Sequence, residues 1–571
     1  MLEVHPPLEI PWLNVGFAAL LMAAVAGASR ALRLGLAEKV LIASTRTVLQ
    51  LLALGALLYP IFAHNQPYVV LPYILLMATF ATREAVVKPK FFYPAMAAHF
   101  FVSILLGLAT SFAVCVTLVL RPSPWWDAQY MIPVCGMLLG ACVNALSLGV
   151  DRFLSTLAES PALHECMLAA GASSWEAALP AVRAALLTGL TPTLNQMSVI
   201  GLVSIPGMMT GTVLAGSPPL LAAKYQMVIM FLISFTSCAV LVYALALAVF
   251  RALFDASHRL RSHLVLRREG PKPQDLLLAA SAALLRAIRR TPPPHHAAAS
   301  ALPSAAAPPP LGAFTPSRPA SRPPHPPPLL ELRAAAVRAP GGGRPLLRAA
   351  ALRLHAGESV ALAGASGSGK STLLKALARL HPLSSGTVAL RGAVAAEGDA
   401  AGARGGRGAC EWRCAVVYVR QQGGQGIGGT PLELMRQLLA LEAQVRRAAA
   451  EGGERAEERL LEAVDALQME RALLECSWSS LSGGEAQRLY LCVMLALRPQ
   501  VILLDEVTSA CDPHATQLVE ALVRQSGIAA VWVTHDAAQM ERVADSVIEY
   551  LPAPSSELEL ALPDSDELLP K

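Results

Sequence analysis

Nearly unbroken apolar stretches dominate the first 250 positions, at about 12 to 29, 40 to 63, 67 to 82, 94 to 120, 130 to 150, 186 to 214 and 225 to 250. The third is short and the sixth is broken; each of the others is long enough to cross about 30 Å of hydrocarbon as an α-helix. The sixth is broken by Ser204-Ile-Pro206-Gly207-Met208-Met209-Thr-Gly211, and Gly216-Ser-Pro-Pro219 then turns the chain. Proline and glycine at membrane depth free backbone groups that only protein or a water-filled cavity can satisfy again, so the break marks a candidate translocation site, with a plain proline kink as the alternative. From about 264 the pattern changes. One amphipathic helix is predicted over 274–290, and an alanine- and proline-rich tract over 291–328 has no core-forming periodicity and reads as a tether. Beyond 329 lies a soluble domain in which 359–363 is strand-like, 373–380 has helical periodicity, and the stretches 416–421, 501–506 and 531–535 read as strand ends, as in an α/β domain. A glycine-rich insertion at 392–408 reads as a surface loop.

Charge orients the spans. Arg30, Arg33 and Lys39 follow the first, Arg83, Lys88 and Lys90 the third, Arg152 and Arg183 lie between the fifth and sixth, and Arg251, Arg259 and Arg261 follow the seventh; the opposite side holds little beyond Arg121 and Lys224. The positive-inside rule therefore places the N-terminus outside and the C-terminal half in the cytosol. A net charge of +5 over 571 residues gives no case for nucleic acid, and 54% hydrophobic with 15% charged residues fits membrane spans averaged with a soluble domain. The ten cysteines lack the spacing of a disulfide framework. Cys410 and Cys414 form only a weak pair, and structural thiols in a reducing compartment fit better.

The chemistry is concentrated at Gly364-Ala-Ser366-Gly367-Ser368-Gly369-Lys370-Ser371-Thr372, between a strand-like run and a helical one. This is a phosphate cradle: the glycines let backbone N–H groups turn inward, Lys370 reaches β- and γ-phosphates, and Ser371 offers a hydroxyl to Mg²⁺. Four more elements follow in order. Val416-Val-Tyr-Val-Arg-Gln421 ends in a Gln able to sense Mg²⁺ and water. Leu481-Ser482-Gly483-Gly484-Glu-Ala-Gln-Arg488 offers a second anion-binding helix start. Val501-Ile-Leu-Leu-Asp505-Glu506 ends a buried strand in two carboxylates, Asp505 suited to Mg²⁺ and Glu506 to polarising the attacking water. Val531-Trp-Val-Thr-His535 puts a His where it can meet the γ-phosphate. The expected fold is a polytopic α-helical membrane domain of about seven spans (1–262), a linker (263–328), an α/β P-loop NTPase domain (329–552) and an acidic tail (553–571).

The Leu-Ser-Gly-Gly-Glu run makes the soluble domain resemble an ABC ATPase over nearly all of 329–552. The resemblance implies that Gln421 is the Q-loop, Ser482 and Gly484 the signature, Asp505 and Glu506 the Walker B pair, Ser509 to Asp512 the D-loop, and His535 the switch. It also implies that a second ATPase domain closes over the γ-phosphate, so that the partner is a second copy of the chain or a related half-transporter. Three positions depart from the pattern: no aromatic stands near 336–339, where adenine is usually stacked, Cys511 replaces a Leu, and Arg420 replaces a Pro. Glu165 and Gly171, between spans five and six, have the spacing of an EAA-type coupling loop, with two short helices hinged at Gly171; Leu179-Pro180 falls a few positions early for that pattern. Thr45 to Gln50, Ile132 to Met137 and above all Gly201-Leu-Val-Ser-Ile-Pro-Gly-Met-Met-Thr-Gly211 with Lys224-Tyr-Gln226 resemble the Fet-type permeases of bacterial iron export and plant aluminium sensitivity. That family usually keeps permease and ATPase on separate chains; here they are fused. The resemblance implies export of iron, or a nucleotide-sugar cargo.

The apolar stretches contain no Asp or Glu, so a bare hard cation would lack carboxylate ligands. They do contain Arg46, Gln50, His99, Asn144, Asn195 and Gln196, with the sulfurs of Met137, Met208 and Met209. Arg46, Gln50, Asn144, Asn195, Gln196, Pro206, Met208 and Met209 are the candidate cargo path. Cys135 and Cys142 share a helix face, where packing is favoured over binding a soft metal. The expected function is ATP-driven export of a metal, chelate or metal-linked solute; a polar organic cargo met by Arg46, or a membrane-anchored regulatory ATPase, are the alternatives. ATP and Mg²⁺ are the implied cofactors.

Overall fold

The computed structural model describes residues 11–549, apart from 34, 36, 120, 122, 269–326, 339–344, 366, 395–407 and 452–454, and without the side chains of 345–350 and 451. The helix predicted at 274–290, the proline-rich tract, most of the glycine-rich insertion, the acidic tail and Ser366 fall outside them. Among the described residues seven helices are long and apolar enough to cross a membrane. They are α1 (Trp12–Ala31), α2 (Ala37–His64), α3 (Pro67–Val87), α4 (Met96–Val119), α5 (Ala128–Glu159), α7 (Ser174–Val199) and α9 (Pro219–Leu253). Two shorter helices, α6 (Pro161–Ala169) and α8 (Gly207–Leu214), stand before and after α7.

The central helix is α5, which packs on α3, α7 and α9 and buries Cys135, Cys142, Leu146 and Phe153. Small residues set its distance from α7. A Cβ at Gly149 would stand 3.2 Å from the Ala185 carbonyl, and one at Gly189 2.9 Å from the Ala145 carbonyl. No larger side chain fits without separating the helices, which is how membrane helices gain dispersion contact where lipid offers no hydrophobic drive.

Two helices differ from the expected boundaries. The sixth span starts at Ser174, not near 186, because the side chain of Ser173 and that of Glu176 form a reciprocal capping box. The helix then runs through Pro180 and Pro192, since packing against α5 outweighs the loss of two backbone hydrogen bonds. The second of the two expected short helices is thus the first turns of a span. The break in the sixth span is present, with α7 ending at Val199 and α8 starting at Gly207. It lies about 39 Å along the helix from Ser174, given 1.5 Å per residue, and so near the far end of the bundle. The third span extends to Val87 and includes Glu84, which pairs with Arg46 at 3.7 Å. Beyond the apolar runs the helices therefore do carry carboxylates.

After α9 the chain stays on the membrane half. β1 (Phe91–Phe92) pairs antiparallel with β2 (Leu266–Arg267), and Arg268 donates to the carbonyls of Val86 and Val87 at the end of α3.

The soluble half has two sheets. The antiparallel one orders β4 (Pro345–Leu354), β3 (Leu330–Arg338), β6 (Ser385–Leu390) and β7 (Ala393–Val394). The parallel one orders β11 (Ser546–Glu549), β5 (Ser359–Ala363), β10 (Ala529–Val533), β9 (Val501–Asp505) and β8 (Val416–Val419). β8, β9 and β10 are buried along their whole length, as expected of apolar runs covered on both faces. The helices are α10 (Lys370–Leu377), α11 (Ala409–Ala415), α12 (Pro431–Leu439), α13 (Glu442–Glu451), α14 (Ala456–Ala466), α15 (Gly483–Ala496), α16 (Pro513–Gln525) and α17 (Ala537–Val543). In such sheets ligands bind beyond the carboxyl ends of the strands, and there the chemical residues collect.

Candidate nucleotide site and its contact with the membrane half

The loop between β5 and α10 turns at Gly367 (φ 78°) and Gly369 (φ 94°), backbone that side chains other than hydrogen rarely adopt. A Cβ at Gly367 would meet nothing within 4 Å, so there the need for glycine is conformational and not steric. Lys370, 6% exposed, donates to the carbonyls of Gly364 (2.6 Å) and Ala365 (3.0 Å), which closes the loop on itself. Ser368 is buried, and its Oγ has no hydrogen-bond partner. A loop with an orphaned buried hydroxyl beside inward-turning glycines fits an anionic ligand.

Ser371 and Asp505, 134 residues apart, meet: the Ser371 hydroxyl donates to Asp505 Oδ1 at 3.0 Å. Two hard oxygen donors side by side suit Mg²⁺. The second oxygen, Oδ2, accepts from the Tyr418 hydroxyl at 2.8 Å. Burial pushes the Asp505 carboxyl above its ordinary range, while those two hydrogen bonds pull it back down. Glu506 gathers the other candidates. Its Oε1 lies 3.0 Å from His535 Nε2 and its Oε2 accepts from Gln421 Nε2 at 2.5 Å. Its backbone is held in the left-handed region (φ 49°) by N–H donation to Val533 O and by Gln487 donating to its carbonyl. A cavity of about 450 Å³ opens beside this cluster, lined by Ser509, Cys511, Thr534, His535 and Asp536 among others.

Ser482 caps α15 in a second capping box with Glu485, and it and Gly483 are exposed. Gly484 faces Ala510, whose carbonyl would be 2.8 Å from an added Cβ. Among the described residues no hydrogen bond joins Ser482 to Gly484 with 364–372. The structure thus brings Ser371, Gln421, Asp505, Glu506 and His535 together, and leaves the second glycine-rich helix start facing outward.

The membrane half is seated on the back of this site. α6 ends in a Schellman turn, with Ala172 N–H donating to Met167 O and Gly171 N–H to Leu168 O, and Gly171 at φ 102°. Gly171 lies so close to α11 that a Cβ there would stand 2.5 Å from Cys414 Sγ and 2.9 Å from Cys410 O. Lys375 pairs with Glu165 at 2.5 Å, Gln444 donates to Ala170 O at 2.7 Å, and the N–H of Glu442 donates to Glu176 at 2.7 Å. A second contact follows α9. Arg413, fully buried, donates to the carbonyls of Ser257 (2.8 Å), His258 (3.3 Å) and Arg379 (2.7 Å), and the His258 ring in turn meets Ser174. Burial lowers the Arg413 guanidinium to about 10, so it stays charged at neutral pH.

Tyr418, Lys375 and Arg413 border the site or its seat on the membrane half and are not among the motif residues. A hydroxyl inside the otherwise aliphatic run Val416–Val419, and an arginine beside Trp412 in a short helix, were the available signals. Of the candidate path, Arg46, Gln50, Asn144, Asn195 and Gln196 are exposed on the helix surfaces of a single chain, and Pro206, Met208 and Met209 are half-buried. Cys135 and Cys142 are buried in α5. Among the described residues no group of three or more His, Cys, Asp or Glu side chains could hold a metal ion.

Residues 12–254 match the uncharacterised protein family UPF0014, and residues 347–509 match the ABC transporter family. The UPF0014 membrane protein slr1647 of Synechocystis is 36% identical over 259 residues, 45% of this chain and 98% of its own length. The probable iron export permease protein FetB of Escherichia coli is 28% identical over 229 residues, 40% of this chain and 86% of its own. The hemin import ATP-binding protein HmuV of Streptomyces coelicolor is 35% identical over 247 residues, 42% and 80%. Each of these relatives matches one half of the chain.

Proposed function

The chain belongs to the UPF0014 membrane-protein family in its first half and to the ABC transporter ATPases in its second, and from that premise we propose that it exports a metal or metal-linked solute, driven by ATP hydrolysis, as a homodimer. The observation that carries transport is the seating of α6 and the turn after α9 on the ATPase, behind the nucleotide loop. An anchor needs no such double contact. The membrane is spanned with the N-terminus outside and the ATPase in the cytosol, as the basic loops indicate.

In this reading Gly364, Gly367, Ser368, Gly369, Lys370 and Thr372, with Ser366, wrap the ATP phosphates. Ser371, Asp505 and Gln421 would hold Mg²⁺, which supplies charge neutralisation at the β- and γ-oxygens. Glu506 takes the proton of the attacking water, His535 and Gln421 fix its carboxylate, and His535 contacts the γ-phosphate. Ser482, Gly483 and Gly484 serve the nucleotide of the second copy, which is why they face outward here. Cysteine pairs test this. With Ala365→Cys, on the exposed face of the same loop, and Ser482→Cys in a background lacking the partly exposed native cysteines, ATP-dependent crosslinks are expected between chains, and links forming only within a chain would rule the homodimer out.

The same logic applies in the membrane. Polar side chains in spans almost always face protein or a water-filled cavity, so the exposed Gln50, Asn144, Asn195 and Gln196 are covered by the second copy, with the cargo path between. These groups are amides, and Arg46 is already paired with Glu84. A chelated metal or a polar organic solute, such as a nucleotide sugar, suits them better than a bare hard cation. Reconstituted vesicles decide: ATPase stimulation and uptake into inside-out vesicles are expected for a chelate or metal-linked solute. Transport of free ferrous or ferric ions, with no response to organic ligands, would replace that cargo with the bare ion.

A further inference from the structure

Asp505 is approached from inside the protein by Tyr418 of β8, a residue with no part in the reading above. With the Tyr418 hydroxyl on Oδ2 at 2.8 Å and the Ser371 hydroxyl on Oδ1 at 3.0 Å, the carboxylate is held at both oxygens and its plane cannot turn. Tyr418 is 3% exposed. Burial, and then the charge of Asp505, raises its phenol above the ordinary range, so it remains an O–H donor. On its other side Lys375 Nζ lies 5.5 Å from the centre of the Tyr418 ring, a cation–π distance. The same ammonium is 2.5 Å from Glu165 Oε1 on α6 of the membrane half.

Four elements far apart in the chain therefore meet in one line: α6, α10, β8 and the end of β9. We infer that Tyr418 is a positioning residue that holds Asp505 in the orientation receiving Mg²⁺, and that Lys375, while paired with Glu165, makes this hold depend on the seating of α6. The logic is electrostatic. A seated Glu165 keeps the ammonium on the ring face. When α6 lifts, Lys375 loses the carboxylate that holds it over the ring, and the Tyr418 hydroxyl loses the neighbouring positive charge that strengthens its donation to Asp505. Metal affinity at the nucleotide site thereby follows the state of the membrane half. This rests on the proposed role of Asp505 toward Mg²⁺.

The test uses the full chain in lipid nanodiscs, a non-hydrolysable ATP analogue and Mn²⁺ in place of Mg²⁺, with free Mn²⁺ read by electron paramagnetic resonance, so that turnover plays no part. Tyr418→Phe keeps the ring and removes only the hydroxyl. It is expected to weaken Mn²⁺ binding roughly tenfold, the loss typical of one hydrogen bond to a charged group, with analogue binding in EDTA unchanged. Glu165→Gln is expected to act in the same direction and to add little in the Tyr418→Phe background. Wild-type Mn²⁺ affinity in Tyr418→Phe overturns the inference, as does an equal loss of analogue binding in EDTA, which marks a merely structural role. Fully additive effects overturn the link to α6. If the wild-type chain itself binds the analogue no better with Mn²⁺ than without, the reading of Asp505 fails first.

Discussion

Glu506→Gln is expected to lower ATP turnover by about two to four orders of magnitude, the range that a positioned general base contributes, and to leave ATP bound. The glutamine keeps the size of the side chain, so its carbonyl can still accept from Gln421 or His535, both of which hold the native carboxylate. What it loses is the ability to take a proton from water. The nucleotide loop, Ser371 and Asp505 are untouched, so binding persists while cleavage stops. Steady-state phosphate release, together with nucleotide retained through gel filtration, reads both halves of the expectation. Turnover near the wild-type rate would remove Glu506 from the water-activating role.

Arg413→Met is expected to free the turn after α9 from the ATPase half while α6 stays seated. The substitution deletes a buried guanidinium that donates to three carbonyls, two of them in the turn after α9. An orphaned buried carbonyl costs about 1–3 kcal/mol, and relief of the desolvated charge returns part of that, so the docked arrangement loses roughly 3 kcal/mol. Lysine does not substitute, because one ammonium cannot reproduce a planar fork that spans two elements. Hydrogen exchange at 254–260 is expected to accelerate on the order of a hundredfold, by the factor of ten per 1.4 kcal/mol, while exchange in β9 and β10 stays at its wild-type rate. Unchanged protection of 254–260 would show that the turn is held by something other than Arg413. ATPase activity is expected to persist in this variant with a reduced response to cargo, since α6 alone then carries the coupling.

The two halves were legible to different degrees. In the soluble half each candidate catalytic group sits at a strand end that its own local sequence announces, such as Leu504-Asp505-Glu506 after a fully apolar run. Parallel strands put such ends on one edge, so Gln421, Glu506 and His535 could be collected before any coordinate was known. In the membrane half the spans were visible as length and hydropathy, yet their ends were not. Glu84 and the start of α7 lie beyond the expected bounds because helices outrun their apolar cores toward the ATPase half, where, for α7, capping by Ser173 and Glu176 and docking against Glu442, not hydropathy, decide the boundary.

The nucleotide loop with its strand and helix, and the existence of seven spans, were determined by the sequence alone, because each depends on residues within one short stretch of chain. Only the tertiary structure decided that Tyr418 holds Asp505, that Gly171 touches α11, that Arg413 locks the turn after α9, and that Ser482 faces outward. Those contacts join residues up to about 245 positions apart across two domains. No local pattern encodes such pairs; they are fixed by how the helices and sheets pack.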